Sequence, residues 1–231
     1  MITAIVPARS GSKRLPGKNI KHLNGRPLVF HTLDAFVEHD QISTIIFTSD
    51  SLEYINMVNE EFGNKVDCVH RPIEYGGDHV KVYDEVKRLI NNGAISTDWY
   101  LLGLPTCPMR NHIIVENMLS QWDVDQRPVF SAVEYDFPTQ FAFQLSGNSK
   151  SWNALNENSP MLTGNTRSQD IPKTYRPNGA MYLQKLSNIE NNTFYINADV
   201  YLMDLIDSVD VDTELDFLIC EHIMHSKEVV I

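Results

Sequence analysis

Residues 2–19, which read ITAIVPARSGSKRLPGKN, take the chain from an apolar run straight into a basic loop punctuated by glycines. The apolar run predicts a buried strand of a parallel sheet, and Pro7 ends it. Gly11 and Gly17 permit unusual backbone dihedral angles, so that backbone N–H groups can turn toward an anion. Because ligands of open α/β sheets bind at the carboxyl ends of the strands, this loop is predicted to hold a polyanion such as the triphosphate of a nucleotide.

The charge of the loop supports that prediction. Four cationic side chains fall within ten residues of a chain whose formal net charge is -11: Arg9, Lys13, Arg14 and Lys18. Arginine and lysine donate charge-assisted hydrogen bonds to phosphate oxygens, each of which contributes about 1.5–3 kcal/mol. A solvated surface loop with incidental charge is the alternative, and it is disfavoured because the loop follows the first buried strand directly.

The basic loop is not a P-loop, in which four residues separate the two glycines and Ser or Thr follows the lysine to bind magnesium. Here five residues separate Gly11 from Gly17, and Asn19 follows Lys18. A magnesium ion at this site would therefore need carboxylates from elsewhere in the chain.

Length and composition favour one soluble α/β domain. The chain has 231 residues, of which 42% are hydrophobic and 21% are charged, as is ordinary for a globular protein. The acidic balance argues against nucleic acid or an anionic membrane as a partner. Three isolated cysteines, with no signal-peptide pattern and no apolar stretch of roughly 20 residues, predict a cytoplasmic location.

Strands and helices alternate along most of the chain, which predicts a mainly parallel sheet with helices on both faces. Further strands are predicted at 44–48, 66–69, 99–104, 128–133, 180–183 and 200–203. Helices are predicted from Pro27, after Ser51, and over 80–90, 113–122 and 213–225. The core face of the last helix is predicted to consist of Leu215, Leu218, Ile219, Cys220 and Ile223.

The segment from Tyr135 to Tyr175 interrupts this alternation. It is rich in Pro, Asn, Ser and Gln, which predicts a β-hairpin or arm instead of another βα unit. Its aromatic residues Phe141, Phe143 and Trp152 would be costly to expose in a monomer, so a homodimer is predicted.

A second informative segment, DVDTE at 210–214, lies near the end of the chain. If it is extended, Asp210 and Asp212 point to the same side, because side chains of extended chain alternate with a period of two. Two such carboxylates would suit Mg²⁺, which proteins hold by one or two carboxylates together with substrate phosphates. The alternative, which is partly compatible, is that Asp212 caps a helix beginning at Thr213 and that Glu214 favours the helix dipole.

The basic loop and the acidic pair together resemble the CMP-sugar synthetases, the acylneuraminate cytidylyltransferases. The motifs occur in the order and spacing of that family: ARSGSKRLPGKNIK at 8–21, HRP at 70–72, LPTCPMR at 104–110, YRPNGAMY at 175–182 and DVDTELDF at 210–217. The resemblance implies a Rossmann-like nucleotidyltransferase fold, with one domain over 1–231 and an inserted dimerisation arm at 135–175. It also implies an enzyme that joins CTP to an acidic keto-sugar, with magnesium, and releases pyrophosphate.

By motif position, the resemblance assigns the nucleotide to the basic loop and to the HRP motif. The residues implied for the triphosphate are Arg9, Ser12, Lys13 and Lys18, and those implied for the cytidine are Asn19 and Arg71. Asp78 lies where the family contacts the active-site loop, although capping of the helix that follows fits it equally well.

The resemblance also implies the residues of the reaction. Asp210 and Asp212 would bind magnesium, and Asp212 is a candidate acceptor for the proton of the attacking sugar hydroxyl. That hydroxyl would attack the α-phosphorus in line with the leaving pyrophosphate, while Lys18 and Arg9 neutralise charge on the phosphate oxygens.

Toward the sugar, the chain departs from the family pattern. Leu104 replaces a usual Gln, Gln140 follows Phe-Pro where a Lys is usual, and Ser168 follows Arg167 where a second Arg is common. These positions and Asn178 would face the sugar, whose carboxylate would therefore meet fewer cations, with Arg167 still available across a dimer interface.

Three functions remain open from the sequence. The first is a cytidylyltransferase for a sialic-acid-like nonulosonic acid, and the second is a cytidylyltransferase for a non-sialic acceptor. The third is a regulatory protein that binds CTP without catalysis, and the joint presence of Lys18 and the acidic pair argues against it.

Overall fold

The computed structural model describes residues 1–77, 79–122, 127–147, 150–164, 167–191 and 193–229. It divides into two compact units. The first consists of Met1–Ala132 and Asn178–Ile231, and the second of Val133–Pro177. Among the described residues, every helix is too short or too polar to traverse a lipid bilayer.

The strands of the chain form one large sheet and two small ones. In chain order they are β1 (Ile2–Pro7), β2 (His22–Leu23), β3 (Arg26–Pro27), β4 (Ile42–Ser49), β5 (Asp67–His70), β6 (Trp99–Gly103), β7 (Val129–Glu134), β8 (Phe143–Ser146), β9 (Ser151–Ala154), β10 (Tyr175–Lys185) and β11 (Asp199–Leu202). The large sheet has the order β11-β7-β10-β6-β1-β4-β5.

The large sheet is mainly parallel, as the sequence predicts. Strand β1 pairs in parallel with β4 and β6, β4 with β5, and β11 with β7. Strand β10 is the exception, because it runs antiparallel to β6. The chain reaches β10 without the helical crossover that a parallel neighbour requires.

Helices of the first unit cover both faces of this sheet. The first unit contains α1 (Leu28–Val37), α2 (Leu52–Phe62), α3 (Val82–Asn91), α4 (His112–Ser120) and α6 (Glu214–Val229), and the second unit contains α5 (Pro160–Thr163). Ala4 and Val6 of β1 belong to the apolar core that includes residues of α1, α2 and α4, whereas Ile5 belongs to the core that includes residues of α3. Successive residues of a strand point to opposite faces, so the prediction of helices on both faces is confirmed.

Helix α6 packs through a face that differs from the prediction. Phe217 and Cys220 are buried in a third apolar cluster, against which Ile223 packs. Leu215, Leu218 and Ile219 are exposed, so their assignment to the core is wrong. The helix carries two apolar stripes, and periodicity alone does not tell which of them is buried.

The second unit contains the predicted hairpin, in which β8 and β9 pair antiparallel. Phe143 and Trp152 face each other across it with ring centroids 5.8 Å apart, and both remain exposed. Within the same unit, Tyr135 N donates to Thr174 O at 2.9 Å, and Lys173 pairs with Glu134 at 2.7 Å. The role of this segment in dimerisation stays a prediction.

Candidate nucleotide-binding site

A cavity of about 270 Å³ lies in the first unit, at the carboxyl ends of β1 and β6. Its wall combines the basic loop with the segments that follow β5 and β6 and with one acidic residue from the end of the chain. The lining residues are Pro7, Arg9, Ser12, Lys13, Arg14, Leu15, Lys18, Asn19, Arg71, Tyr75, Gly77, Val80, Lys81, Val82, Leu104, Pro105, Thr106 and Asp212. Strand ends of an open α/β sheet are where such proteins bind ligands.

The basic loop is held at several points. Ser10 donates to Asp50 from its backbone N–H at 2.8 Å and from its hydroxyl at 3.1 Å. Asn19 is buried and donates from Nδ2 to the carbonyl oxygen of Arg9 at 2.9 Å. Gly17 has φ +65° and precedes a short 3-10 helix over Lys18–Ile20, a conformation that a residue with a Cβ adopts only with strain. The loop therefore presents its cations from a fixed backbone.

Lys18 connects this loop to the acidic segment. Its Nζ donates to the carbonyl oxygen of Val211 at 2.9 Å and to Oδ1 of Asp212 at 2.9 Å. Arg14 pairs with the other carboxylate oxygen of Asp212, with 2.7 Å between Nη2 and Oδ2. The structure thus brings the two motifs that the sequence analysis singled out into direct contact.

Asp212 is not the cap of α6, so that part of the alternative is wrong, whereas Glu214 does lie in the first turn of the helix, where its charge favours the helix dipole. Helix α6 begins at Glu214, and Thr213 forms a capping box with Asp216. Thr213 Oγ1 accepts from the N–H of Asp216 at 3.3 Å, and Asp216 Oδ2 accepts from the N–H of Thr213 at 2.7 Å. The box satisfies the free N–H groups at the helix start, which leaves the carboxylate of Asp212 to the cavity.

The backbone of Asp212 is fixed from both sides. Its N–H donates to Oδ2 of Asp216 at 3.1 Å, and the preceding Val211 N–H donates to Thr106 O at 2.7 Å. Although burial alone would raise it, the hydrogen bonds from Thr213 and Asp212 hold the pKa of Asp216 below its usual value. Asp216 is therefore an anion that orients Asp212 and does not compete with it for the cavity.

The donor set of the acidic segment fits magnesium. Val211 is completely buried between Asp210 and Asp212, which are both partly exposed, as expected for side chains that alternate along extended chain. Within the part of the chain that the structure describes, no group of three or more His, Cys, Asp or Glu side chains is placed to hold a metal ion, so a cation here would take its other ligands from water or phosphate. Two carboxylates with phosphate oxygens are the ligands that Mg²⁺ usually takes. Asp210, unlike Asp212, does not line the cavity.

Arg71 is the most unusual residue of the cavity wall. Its residue exposure is 5%, yet its Nε and Nη2 have no hydrogen-bond partner among the described residues. Burial lowers the pKa of Arg71, and the nearby carboxylates of Glu85 and Asp50 partly oppose this effect. Buried donors without a partner are rare in folded proteins, which makes Arg71 a candidate donor to a ligand in the cavity.

The structure separates the residues that the resemblance implied, apart from Asp210 and Asn178, into three groups. Around the cavity it brings together Arg9, Ser12, Lys13, Lys18, Asn19, Arg71, Leu104 and Asp212. Gln140 and Arg167 belong to the second unit, where Arg167 pairs with Asp170 at 3.3 Å. Asp78 lies outside the described residues.

Asn178 does not face the cavity, which corrects the prediction. It is buried, and its Nδ2 donates to Met203 Sδ and to Ser208 Oγ at 3.1 and 3.0 Å. Its Oδ1 accepts from Ser131 Oγ at 2.6 Å and from Ala180 N at 3.1 Å. All four hydrogen-bonding positions of the amide are therefore occupied, and the residue is structural.

Sequence reasoning missed several residues around the cavity. Arg14 was noticed only as charge and Thr106 only as part of the motif at 104–110, whereas Lys81 carried no signal. The role of Asp216 was readable, since a Thr followed three residues later by an acid before an apolar run is typical of a capping box.

Comparison with known proteins gives a consistent result. Residues 3–101 match the family model described as Cytidylyltransferase. The N-acylneuraminate cytidylyltransferase of Streptococcus agalactiae serotype V is 32% identical over 228 residues, which cover 93% of this chain and 51% of that protein. The CMP-N,N'-diacetyllegionaminic acid synthase of Legionella pneumophila is 27% identical, with 98% of this chain and 97% of that protein covered.

A solved structure shares the fold. It is a CMP:2-keto-3-deoxy-manno-octonic acid synthetase complexed with CTP, with a TM-score of 0.67, 15% identity and coverage of 98% of this chain and 100% of that one. The chain spans about half the length of the first curated relatives that it matches.

Proposed function

Since residues 3–101 match the Cytidylyltransferase family model, we propose that the chain transfers cytidine monophosphate from CTP to an acidic keto-sugar and releases pyrophosphate. The observation that carries this proposal is the meeting of Lys18 with Asp212 at the mouth of a cationic cavity. The names of the relatives supply the substrate class, because they describe enzymes of N-acylneuraminic and diacetyllegionaminic acid.

The residues of the cavity have different roles in the proposed reaction. Arg9, Lys13 and Lys18 bind the triphosphate, and Arg71 donates to the cytidine through its two unpartnered nitrogens. The sugar hydroxyl attacks the α-phosphorus, a new oxygen–phosphorus bond forms, and the bond to pyrophosphate breaks. Lys18 stabilises the charge that develops on the phosphate, and Asp212 accepts the hydroxyl proton. Magnesium, held by Asp210 and Asp212, would supply further neutralisation of the phosphate charge when bound.

The acceptor side is less cationic than the nucleotide side. Leu104 lines the cavity and is within 3.4 Å of the place where a Cβ on Gly179 would stand. An apolar wall at this position favours a sugar with a deoxy or methyl group over one with a further hydroxyl. The relatives include enzymes of N-acylneuraminic acid and of diacetyllegionaminic acid, so the acceptor is proposed as a nonulosonic acid, with a non-sialic acceptor as the second candidate.

The protein is also proposed to act in the cytoplasm as a homodimer. Its three cysteines are free thiols, as a reducing compartment favours. The exposed apolar surface at Phe143 and Trp152 is of the kind that a second copy would cover. Analytical ultracentrifugation should give twice the monomer mass at micromolar concentration, and a monomer would refute this part of the proposal.

The reaction can be tested by pyrophosphate release from CTP, magnesium and a panel of keto-sugars. We expect release with at least one nonulosonic acid, and none after magnesium is chelated. Lys18→Ala should lower the rate by a factor of about 10²–10³ or more, since the loss of one such charge-stabilising donor has an effect of this size.

Lys21→Ala is the matched control, because Lys21 pairs with Glu214 at 2.5 Å and does not line the cavity. Near-normal turnover in the Lys18 variant would show that the loop is not the catalytic cradle. CTP binding without release on any sugar would favour the regulatory alternative.

A further inference from the structure

Asp212 is surrounded unequally by its two cationic partners. Lys18 contacts Oδ1 and also Val211 O, and its side chain is only 13% exposed. Arg14 contacts Oδ2, and its side chain is 68% exposed. An ion pair that retains so much contact with water is weak and readily exchanged, whereas Lys18 is held by two acceptors. The two carboxylate oxygens therefore differ in how easily another cation could reach them.

The backbone around Arg14 favours movement of its side chain alone. The next residue, Leu15, is buried in the apolar cluster that also contains Val211 and Phe217. This anchor keeps the backbone of Arg14 beside the acidic segment. Because Arg14 also lines the cavity, its guanidinium can leave Asp212 and still remain within the site.

We propose that Arg14 is a placeholder cation, which neutralises Asp212 in the free protein and moves to the triphosphate when a metal-bound nucleotide enters. The proposal rests on the proposed function, because the incoming group is a nucleoside triphosphate with its divalent ion. A divalent cation at Asp212 would repel the guanidinium, and the polyphosphate that arrives with it offers the guanidinium new acceptors. The exchange keeps the carboxylate neutralised in both states.

This exchange predicts changes of opposite sign for the two ligands when Arg14 is made neutral. In Arg14→Gln, a divalent cation no longer competes with the guanidinium, so its affinity in the absence of nucleotide should rise about two- to fivefold, the range of an exposed ion pair. The same variant lacks one charge-assisted contact to the phosphates, so its affinity for CTP in excess magnesium should fall about tenfold or more. A residue that only shaped the loop would weaken both.

The experiment uses Mn²⁺ alone as the metal probe, titrated by electron paramagnetic resonance, and CTP with excess Mg²⁺, titrated by calorimetry. Lys21→Gln is the matched control, since it removes the same charge from a residue that pairs with Glu214 outside the cavity. Asp212→Asn should abolish the Mn²⁺ site whether or not Arg14 is present, which identifies the site that is titrated. Arg14→Lys keeps the charge and should recover most of the CTP affinity.

The results of these titrations distinguish failure of the Arg14 exchange from failure of the proposed function. Tighter Mn²⁺ and weaker CTP in Arg14→Gln, but not in Lys21→Gln, support the exchange. Changes of the same sign, or changes no larger than those of the control, overturn it. If the unmodified protein binds no CTP in magnesium, the proposed function fails, while the Mn²⁺ titration still decides whether Arg14 and a metal compete for Asp212.

Discussion

Two neighbouring regions of the first unit each carry one buried arginine, and they use it in opposite ways. Arg71 follows β5 and leaves Nε and Nη2 without partners. Arg110 ends the segment that follows β6, where its Nη1 donates to Ala180 O and its Nη2 donates to Thr32 Oγ1 at 2.5 Å. Its guanidinium also lies 5.1 Å from the ring centroid of Phe36. Nε of Arg110 also lacks a partner among the described residues, but both of its terminal nitrogens are satisfied by the protein. Arg71 lines a cavity, whereas Arg110 joins a strand to a helix.

The difference shows what distinguishes a structural buried arginine from a candidate ligand-binding one. Burial lowers the pKa of both residues, and that of Arg110 falls to about 10. Desolvation is therefore common to the two sites, and what distinguishes them is whether the protein itself satisfies the terminal nitrogens. A cation satisfied by backbone and hydroxyl groups stabilises the fold, whereas one left unsatisfied disfavours the free state and is relieved by binding.

The largest effect should come from Arg110→Met. The substitution leaves the carbonyl oxygen of Ala180 and the hydroxyl of Thr32 buried without their donor, so we expect the free energy of unfolding to fall by about 3 kcal/mol or more. Urea denaturation followed by circular dichroism measures this change. If the variant were as stable as the unmodified protein, Arg110 would not stabilise the fold, and the proposed difference between the two arginines would be wrong.

Arg71→Met should behave in the reverse manner. Since no described residue accepts from Nε or Nη2, we expect unfolding free energy to stay unchanged or to rise slightly. The dissociation constant for CTP should increase about 10–100-fold, as the loss of one or two charge-assisted hydrogen bonds implies. Calorimetry on the folded variant checks this, and a destabilised variant with normal CTP affinity would assign Arg71 to the fold instead.

The smallest effect concerns His31, which lines a second cavity together with Arg110. Burial lowers the pKa of His31, whose Nε2 donates to Leu23 O at 3.0 Å. The unfolded chain therefore takes up a proton first as pH falls below about 6.5, and stability decreases there.

In His31→Gln, the free energy of unfolding should fall less steeply as the pH drops below about 6.5. The difference in slope from the unmodified protein should be smaller than that of one full proton, about 1.4 kcal/mol per pH unit. Unfolding curves between pH 5 and pH 8 measure it. An unaltered pH profile would show that His31 is not the group responsible.

Much of the fold was predictable because apolar runs mark the central strands. The run at 44–48 lies inside β4, and the predicted end of β6 differs from the observed one by a single residue. The direction of β10 was not predictable, since it depends on which strand the chain meets after the second unit. The buried face of α6 was not predictable either, because Leu218 and Cys220 differ little in local sequence pattern but lie on different apolar stripes of the helix.

The sequence predicts which charged residues form the site, but it does not predict which groups these residues hydrogen-bond. The meeting of the basic loop with Asp212 was expected, and the contacts of Lys18 provide it. Asn178 illustrates the limit, because an asparagine that bonds four protein groups looks in sequence like one that awaits a ligand. The same holds for Arg71 and Arg110, whose roles depend on acceptors that are distant along the chain.

Lys18 finds its two acceptors 193 and 194 residues further along the chain. During synthesis, the amino-terminal strand and its loop leave the ribosome long before the segment that completes them. A nascent chain therefore cannot form these contacts of Lys18 until translation has passed Asp212. A copy truncated before Val211 would keep the cations of the basic loop but lack the acceptors that hold Lys18, so the ordering of its side chain depends on completion of the first unit.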